Sequence, residues 1–428
     1  MRRLSLLSSL TYGLLLLGLA TLSGELLALA LPLTIYLLAA LLYGPAEARL
    51  KVTRTLSADR VSHQSPVTVR LAIVNEGARL EEVLIEDLVP HALEVVDGQP
   101  RLLAALRPGE MVELAYAVRG TRGCYDFQDV QATASETLGL FRRQARLPTP
   151  EQLVVLPEVL RLRRVAIRPF HTRAYAGSVP ARKGGAGVEF FGVREYRSGD
   201  PTRWINWRLT ARHPQALFAN EFEQERTADV GLILDARQRS DIWSPDGWLF
   251  EHGVSAAASL AETFLNDGNR VGLLIYGGAL KWTFPGYGKV QRERILRALA
   301  AAETGESMVF DSLDYLPTRF FPARSQLVLV SPLCTDDLPT LVRLRARGYS
   351  LLVVSPDPVL FEARALGAGA AVALAARIAH LERVLLIRRM QRAGIQVVDW
   401  QVERPFDQVV HATLVRLPHL WRTIGVER

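Results

Sequence analysis

From Asp229 to the C-terminus the sequence alternates between two kinds of segment, and that alternation restricts the fold more than any other feature. Val230–Leu234, Val271–Tyr276, Leu327–Val330, Leu351–Val354 and Ile395–Trp400 are short, largely apolar runs. Strands buried on both faces of a parallel sheet read in this way. Between them lie Gly247–Asn266, Val290–Ala302, Asp337–Arg347 and Val372–Ala393, each of helical length. Phe406–Ile424 adds a last helix interrupted by Pro418. Strands alternating with helices predict a doubly wound α/β sheet over residues 229–428.

Upstream the texture differs. Val67–Val74 alternates apolar and polar residues and ends at the turn Asn75-Glu76-Gly77. Val83–Leu88, Val112–Val118 and Val130–Ala134 are further strand candidates, punctuated by Asp97-Gly98, Pro108-Gly109 and Arg122-Gly123. Repeated short strands with turn signals predict an Ig-like β-sandwich over residues 49–157. His63 and His91 stand alone within it, and nothing there has the pattern of a catalytic group. Residues 158–228 follow as a connector, with an exposed loop expected over Arg168–Lys183 and a strand over Ala216–Phe222.

The first 48 residues hold two uncharged apolar runs, Leu4–Leu22 and Leu26–Tyr43, separated by Ser23-Gly24-Glu25. Each is of spanning length, and so short a link predicts a transmembrane helical hairpin. Arg2 and Arg3 precede the first run, while Arg49, Lys51 and Arg54 follow the second. The positive-inside rule then puts both ends, and the soluble domains, in the cytoplasm at the inner (plasma) membrane. A cleaved signal peptide is the competing reading, but it leaves the second run unexplained.

The net charge of +7 comes from 51 basic and 44 acidic residues spread along the chain. With no basic run or nucleic-acid motif, nucleic acid is not expected as a partner; a face beside anionic lipid accounts for the excess. Cys124 and Cys334 are the two cysteines. They are far apart and lack metal-ligand spacing, which excludes a disulfide scaffold or a zinc site.

Lys183–Glu225 mixes charges with aromatic rings as no other stretch does. Arg194, Glu195, Arg197, Asp200, Arg203, Arg208 and Arg212 interleave with Phe190, Phe191, Tyr196, Trp204 and Trp207, around a turn at Gly199-Asp200-Pro201. The combination predicts a partly buried network of arginine forks on carboxylates, acting either as a structural clamp or as a docking surface. Gly185-Ala186-Gly187, Glu189-Phe190, Arg194-Glu195-Tyr196, Gly199-Asp200, Arg203, Ile205, Trp207 and Ala211-Arg212 together resemble the signature of the bacterial family known as domain of unknown function 58. That resemblance implies a membrane-anchored protein with a von Willebrand factor A-like domain, working beside a MoxR-type AAA+ ATPase.

In von Willebrand factor A-like domains a divalent cation sits beyond the first strand, held by an Asp-x-Ser-x-Ser motif with a threonine and an aspartate from later loops. Here Asp235 keeps the first place, but Ala236-Arg237-Gln238-Arg239 follows it, with arginines where hydroxyl ligands belong. Two cations beside a metal oppose it, so the metal site reads as degenerate and no cofactor is expected; magnesium is the alternative. Asp235 is expected to pair with Arg237, Arg239 or an arginine of the signature stretch. Asp311, Ser312, Asp336, Asp337 and the pair Ser240-Asp241 are the residues that could still supply oxygen ligands. No Walker A loop, HExxH or GxSxG is present, and Gly184–Gly187 lacks a following Lys-Ser/Thr. The expectation is therefore a membrane-anchored adaptor, not an enzyme, which acts with a MoxR-type ATPase on a protein client the sequence does not identify. A cation-dependent adhesion-type receptor module is the alternative, and a hydrolase with no identifiable nucleophile is a weaker third.

Overall fold

Leucine-rich sequence without internal charge makes a helix pair at the N-terminus, α1 (Arg2–Ala20) and α2 (Gly24–Leu42). The computed structural model describes residues 2–42, 47–135, 142–163, 165, 179–213, 215–245, 247–307, 309–367 and 369–415, the side chains of 2–4, 40–42, 179–189, 191, 222–226 and 415 excepted. The chain turns back at Leu22, whose φ is 53°, and the Ser23 N–H donates to the Gly18 carbonyl at 3.0 Å. Leu6, Leu10, Leu16, Leu29, Leu31 and Ile35 are exposed on this pair. Among the described residues, no helix is long and apolar enough to cross a membrane.

The chain divides into two compact units, Met1–Leu156 and Pro157–Arg428. Among the described residues, the first contains nine strands: β1 (Leu50–Leu56), β2 (Arg60–Val61), β3 (Val67–Asn75), β4 (Leu80–Asp87), β5 (Leu93–Gly98), β6 (Arg101–Leu106), β7 (Met111–Gly120), β8 (Gly123–Ser135) and β9 (Arg142–Val155). They form two sheets, ordered β1-β3-β7-β5 and β2-β9-β8-β4-β6. Alternation decides what faces inward: Val67, Val69, Leu71 and Ile73 of β3 share one core with Ile85, Phe127 and Val130 of the other sheet. A β-rich, sandwich-like region is present, as expected. Its four predicted strands coincide with β3, β4, β7 and β8, though β4 ends at Asp87 and not Leu88.

That core also holds a polar cluster the sequence does not announce. Arg54 and Asp87 are buried and paired, the Tyr116 hydroxyl donates to Asp87 at 2.7 Å, and Arg54 lies 5.1 Å from the centroid of the Phe127 ring. Burial, then the Asp87 charge, raises the Tyr116 phenol above its ordinary range.

The second unit opens with an antiparallel ribbon, β10 (Val179–Glu195) and β11 (Phe218–Arg226), whose connection includes the short helix α3 (Trp207–Thr210). The expected loop over Arg168–Lys183 is corrected in part: 179–183 belong to β10, and 166–178 lie outside the described residues. The glycine run that obscured this strand coincides with register shifts between Ala181 and Gly184 and between Gly185 and Phe190.

The rest is strand and helix in turn: β12 (Asp229–Ala236), β13 (Trp243–Ser244), β14 (Gly247–Trp248), α4 (Leu249–Asn266), β15 (Arg270–Gly277), β16 (Lys281–Gly286), α5 (Gly288–Ala300), β17 (Gln326–Val330), α6 (Asp337–Ala346), β18 (Ser350–Pro356), α7 (Pro358–Ala365), α8 (Ala370–Arg392), β19 (Gln396–Trp400) and α9 (Phe406–Val415). The sheet is ordered β16-β15-β12-β17-β18-β19, parallel except for β16 at its edge. Helices cover both faces. Leu234 faces Gly253 of α4, whereas its neighbour Ile233 shares a core with Leu341 of α6 and Met390 of α8. Two expectations shift: Gly247 and Trp248 pair with Ser244 and Trp243 instead of opening the helix, and β16 was not foreseen. The predicted part of the last helix beyond residue 415 lies outside the described residues.

Candidate functional site

β15 and β17 flank β12 on opposite sides, so the chain reverses its direction of sheet growth there. The crevice beyond the carboxyl end of such a strand is where open α/β sheets bind ligands. Asp235 occupies that position, with 1% exposure.

What fills the place is Arg237. Its Nε donates to Asp235 Oδ1 at 2.8 Å, and one Nη2 N–H donates to Asp235 Oδ2 at 2.6 Å. The other Nη2 N–H donates to Asp337 Oδ2 at 3.2 Å; Nη1 donates to Asp337 Oδ1 at 2.9 Å and to the Asp311 carbonyl at 3.1 Å. A guanidinium has five N–H donors, and all five are placed. Ser331, at the end of β17, donates through Oγ to Asp235 Oδ2 at 2.6 Å, and the Cys334 N–H donates to Asp337 Oδ2 at 2.9 Å. Burial works against the Arg237 charge, but the bonds and charges of Asp235 and Asp337 outweigh it and raise its affinity for the proton.

The neighbouring residues are built around this cluster. Arg239 donates to the Asp311 carbonyl at 3.1 Å on a more exposed rim. Tyr276, at the end of β15, donates to the Ser312 carbonyl at 2.5 Å, and burial pushes its phenol up to about 12. Ser240 is buried, whereas Asp241, Asp311 and Asp336 are exposed. The Asp235 and Asp337 carboxylates and the Asp311 carbonyl are therefore spent on a guanidinium, and the side chains of Asp241, Asp311 and Asp336 are exposed. The residues present do not fit a divalent ion while Arg237 stands between Asp235 and Asp337.

Of the pairings foreseen for Asp235, the one formed is with Arg237. Asp337 as the second carboxylate was not foreseen as an arginine partner. Nor was Arg383 of α8, which is buried at the ends of three strands. It donates to the Pro332 carbonyl at 2.9 Å, to Ser355 Oγ at 2.9 Å and to Asp399 at 2.6 Å. An arginine within Leu381–Met390 has no local signal that separates it from its exposed neighbours Arg388 and Arg389.

The signature stretch forms the turn between β10 and β11. Arg194 grips Asp200 with a two-pronged contact, Nη1 at 2.7 Å and Nη2 at 2.8 Å, and its Nε lies 3.5 Å from Glu221 of β11. The Arg197 N–H donates to the Asp200 carboxylate at 2.9 Å, and the Tyr196 hydroxyl donates to the Asp200 carbonyl at 3.0 Å. Gly199 allows this turn through a φ of +106°, a value L side chains rarely adopt. The Arg194 bonds, then the Arg197 N–H, hold the Asp200 carboxyl below the usual carboxylate range. Asn206 accepts from the Leu209 N–H at 3.0 Å to start α3, and donates to Asn220 at 2.8 Å.

The predicted clamp is thus smaller and wetter than expected. Arg194, Tyr196, Gly199 and Asp200 come together; Glu195, Arg203 and Arg212 are exposed, and Trp207 is 68% exposed. Those four residues lie outside the Arg194–Asp200 contact.

An α/β domain with an internal arginine at its switch point, preceded by a clamped ribbon turn, is the class of protein that fold and site define. Residues 192–359 form a domain of the family described as protein of unknown function DUF58. The chain is 29% identical over 199 residues to the uncharacterized protein YeaD of Bacillus subtilis, covering 46% of this chain and 48% of that one. It is 31% identical over 121 residues to the uncharacterized protein Rv1480 of Mycobacterium tuberculosis, covering 27% and 37%. The matched stretch is less than half the length of either relative. Among solved structures, the CARDB domain of the PF1109 protein from Pyrococcus furiosus is 15% identical, with 27% of this chain and 91% of that one covered at a TM-score of 0.19. That likeness is too slight to bear on this chain's chemistry.

Proposed function

We propose that this chain is a membrane-tethered adaptor whose α/β domain engages a protein partner with neither catalysis nor a divalent cation. The observation that carries the reading is the Arg237 cluster. A fixed guanidinium does there what a metal does in a von Willebrand factor A-like domain, drawing two carboxylates together. It leaves no open ligand position through which a bound ion could reach a partner. The finer fold reading, an Ig-like sandwich followed by a von Willebrand factor A-like domain, agrees with the place of Asp235 on the switch strand. Exposed Trp207, Trp243 and Trp248 supply anchors of the kind that dominate protein interfaces.

The tether in this proposal is the helix pair α1 and α2. Its two helices have 19 residues each, with Arg2, Arg3 and Glu25 as their charged residues. At 1.5 Å per residue that is roughly 28 Å, against about 30 Å of bilayer hydrocarbon, so the proposed tether is the pair acting as one apolar hairpin and not either described helix as a full span. Among the described residues, Leu6, Leu10, Leu16, Leu29 and Leu31 of the pair stay exposed. The partner, a MoxR-type AAA+ ATPase, comes from the family resemblance.

The test uses the full chain in nanodiscs, chelator-treated and desalted, with the MoxR-type ATPase of the same genome. Binding that survives chelation is expected. Binding lost on chelation and restored by magnesium would replace the reading with the cation-dependent receptor, and no binding under either condition would remove the partner. For the tether, protease added to intact spheroplasts should leave the β-sandwich whole. Its digestion would place the soluble units outside the cell.

A further inference from the structure

Helix α8 carries apolar side chains on two faces. Arg383, Leu386, Ile387 and Met390 are buried, and no α8 residue before Arg383 is. Leu374, Ile378, Leu381 and Leu385 lie on a different face and are between 52% and 62% exposed. Their spacings are four, three and four, which is a seam of a and d positions in a heptad. Ala371, Ile378 and Leu385 take the a places, and Leu374 and Leu381 the d places. The buried residues fall at b, c and f, so the seam is turned away from the sheet. Arg388 at the next d place ends it.

We propose that this seam is a self-association surface and that its occupant is α8 of a second copy, running parallel. Three features choose that occupant. The 3.5-residue repeat fits another helix, because each a or d side chain then enters a hole between four residues of its partner. A β-branched Ile378 at a between leucines at d favours two parallel strands. The third feature is charge. Arg377 is at g and Glu382 at the following e, and in a parallel pair each g faces the e five residues on in the other helix. Two Arg377–Glu382 contacts therefore form across the dimer, related by its twofold axis. An antiparallel pair in register with all four seam residues sets Arg377 against Val384 and Glu382 against Ala375, and makes neither contact. The C-terminal half of α8 is anchored by its own packing, so docking does not have to nucleate a helix.

Sedimentation of the full chain in detergent, over a range of loadings, measures this directly. A monomer–dimer equilibrium is expected, and Leu381→Glu should weaken it at least about tenfold, since a seam leucine is worth more than one factor of ten. Because Leu381 is exposed, the variant should melt with the parent at loadings where the parent is a monomer. Arg377→Glu and Glu382→Arg should each weaken the dimer, and the double exchange should restore it. In a background lacking Cys124 and Cys334, Leu381→Cys should oxidise to a same-residue disulfide. A monomer at every loading, a dimer indifferent to Leu381→Glu, or singles not rescued by the double exchange would overturn the proposal. So would quenching, by lipid-borne spin label, of a fluorophore attached at residue 381 in nanodiscs, which would give the face to lipid.

Discussion

Arg237 and Asp337 lie 100 residues apart in the chain, and their side chains meet at 2.9 Å with 1% of each exposed. The contact joins the loop after the first parallel strand to the start of a helix after the third. Neither group is tolerable alone at that depth, because an uncompensated charge out of water is expensive.

Asp337→Ala should therefore cost about 3–5 kcal/mol, the usual penalty for stranding one member of a buried ion pair. Asp337→Asn should cost less, since it retains one acceptor oxygen and leaves Arg237 balanced by Asp235. Denaturant titration of both variants, followed by tryptophan fluorescence, separates the two outcomes. Equal losses would mean that the cluster depends on the carboxylate's charge, which both variants lack, and not on the shape that asparagine keeps.

Magnesium or manganese should leave the parent's melting temperature where it is. Arg237→Ala opens the space between Asp235, Asp337 and Ser331, three oxygen donors suited to a hard cation. That variant should be destabilised without metal and stabilised by manganese, by roughly 2.7 kcal/mol at a hundredfold excess over its dissociation constant. A metal-dependent rise in the parent would show that Arg237 can be displaced.

In the ribbon turn, Asp200→Ala should lower the melting temperature, because Arg194 and the Arg197 N–H both converge on its carboxylate. Arg203→Ala should melt with the parent, since its side chain is exposed. Loss of partner binding in the Arg203 variant without loss of stability would assign it to the docking face. If instead both variants unfold alike, the turn is more tightly coupled to the sheet than its exposure implies.

Alkaline pH should reveal Tyr276. Its folded-state phenol is raised to about 12, chiefly by burial, above the ordinary value of 10. The stabilisation is fully present below about pH 10 and is lost as pH climbs toward 12, because the unfolded chain releases that proton first. Tyr276→Phe should flatten this part of the stability–pH profile. The difference between parent and variant isolates it from Tyr116, whose phenol is raised in the other unit.

The parallel strands were legible because each is a run of apolar residues that no exposed segment tolerates. Lys281–Gly286 was not, since an antiparallel edge strand needs no such run and this one contains Pro285. The pairing of Asp235 with Arg237 could be anticipated from two residues' separation. Its completion by Asp337 could not, because only the sheet brings residue 337 to residue 237. In the signature stretch, composition foretold arginine forks on carboxylates but not which arginine would hold Asp200. Arg194, the penultimate residue of β10, holds Asp200, while Arg203 and Arg212 are exposed.

A metal held by carboxylates can be lost, exchanged or outcompeted, and a domain built on one is switched by the ions around it. Arg237 is joined to the backbone it organises. It has no dissociation rate short of local unfolding, needs no loading step after synthesis, and holds Asp235 and Asp337 in one arrangement whatever the ionic surroundings. Any change of state at this end of the sheet has to break the contacts of Arg237 with Asp235 and Asp337.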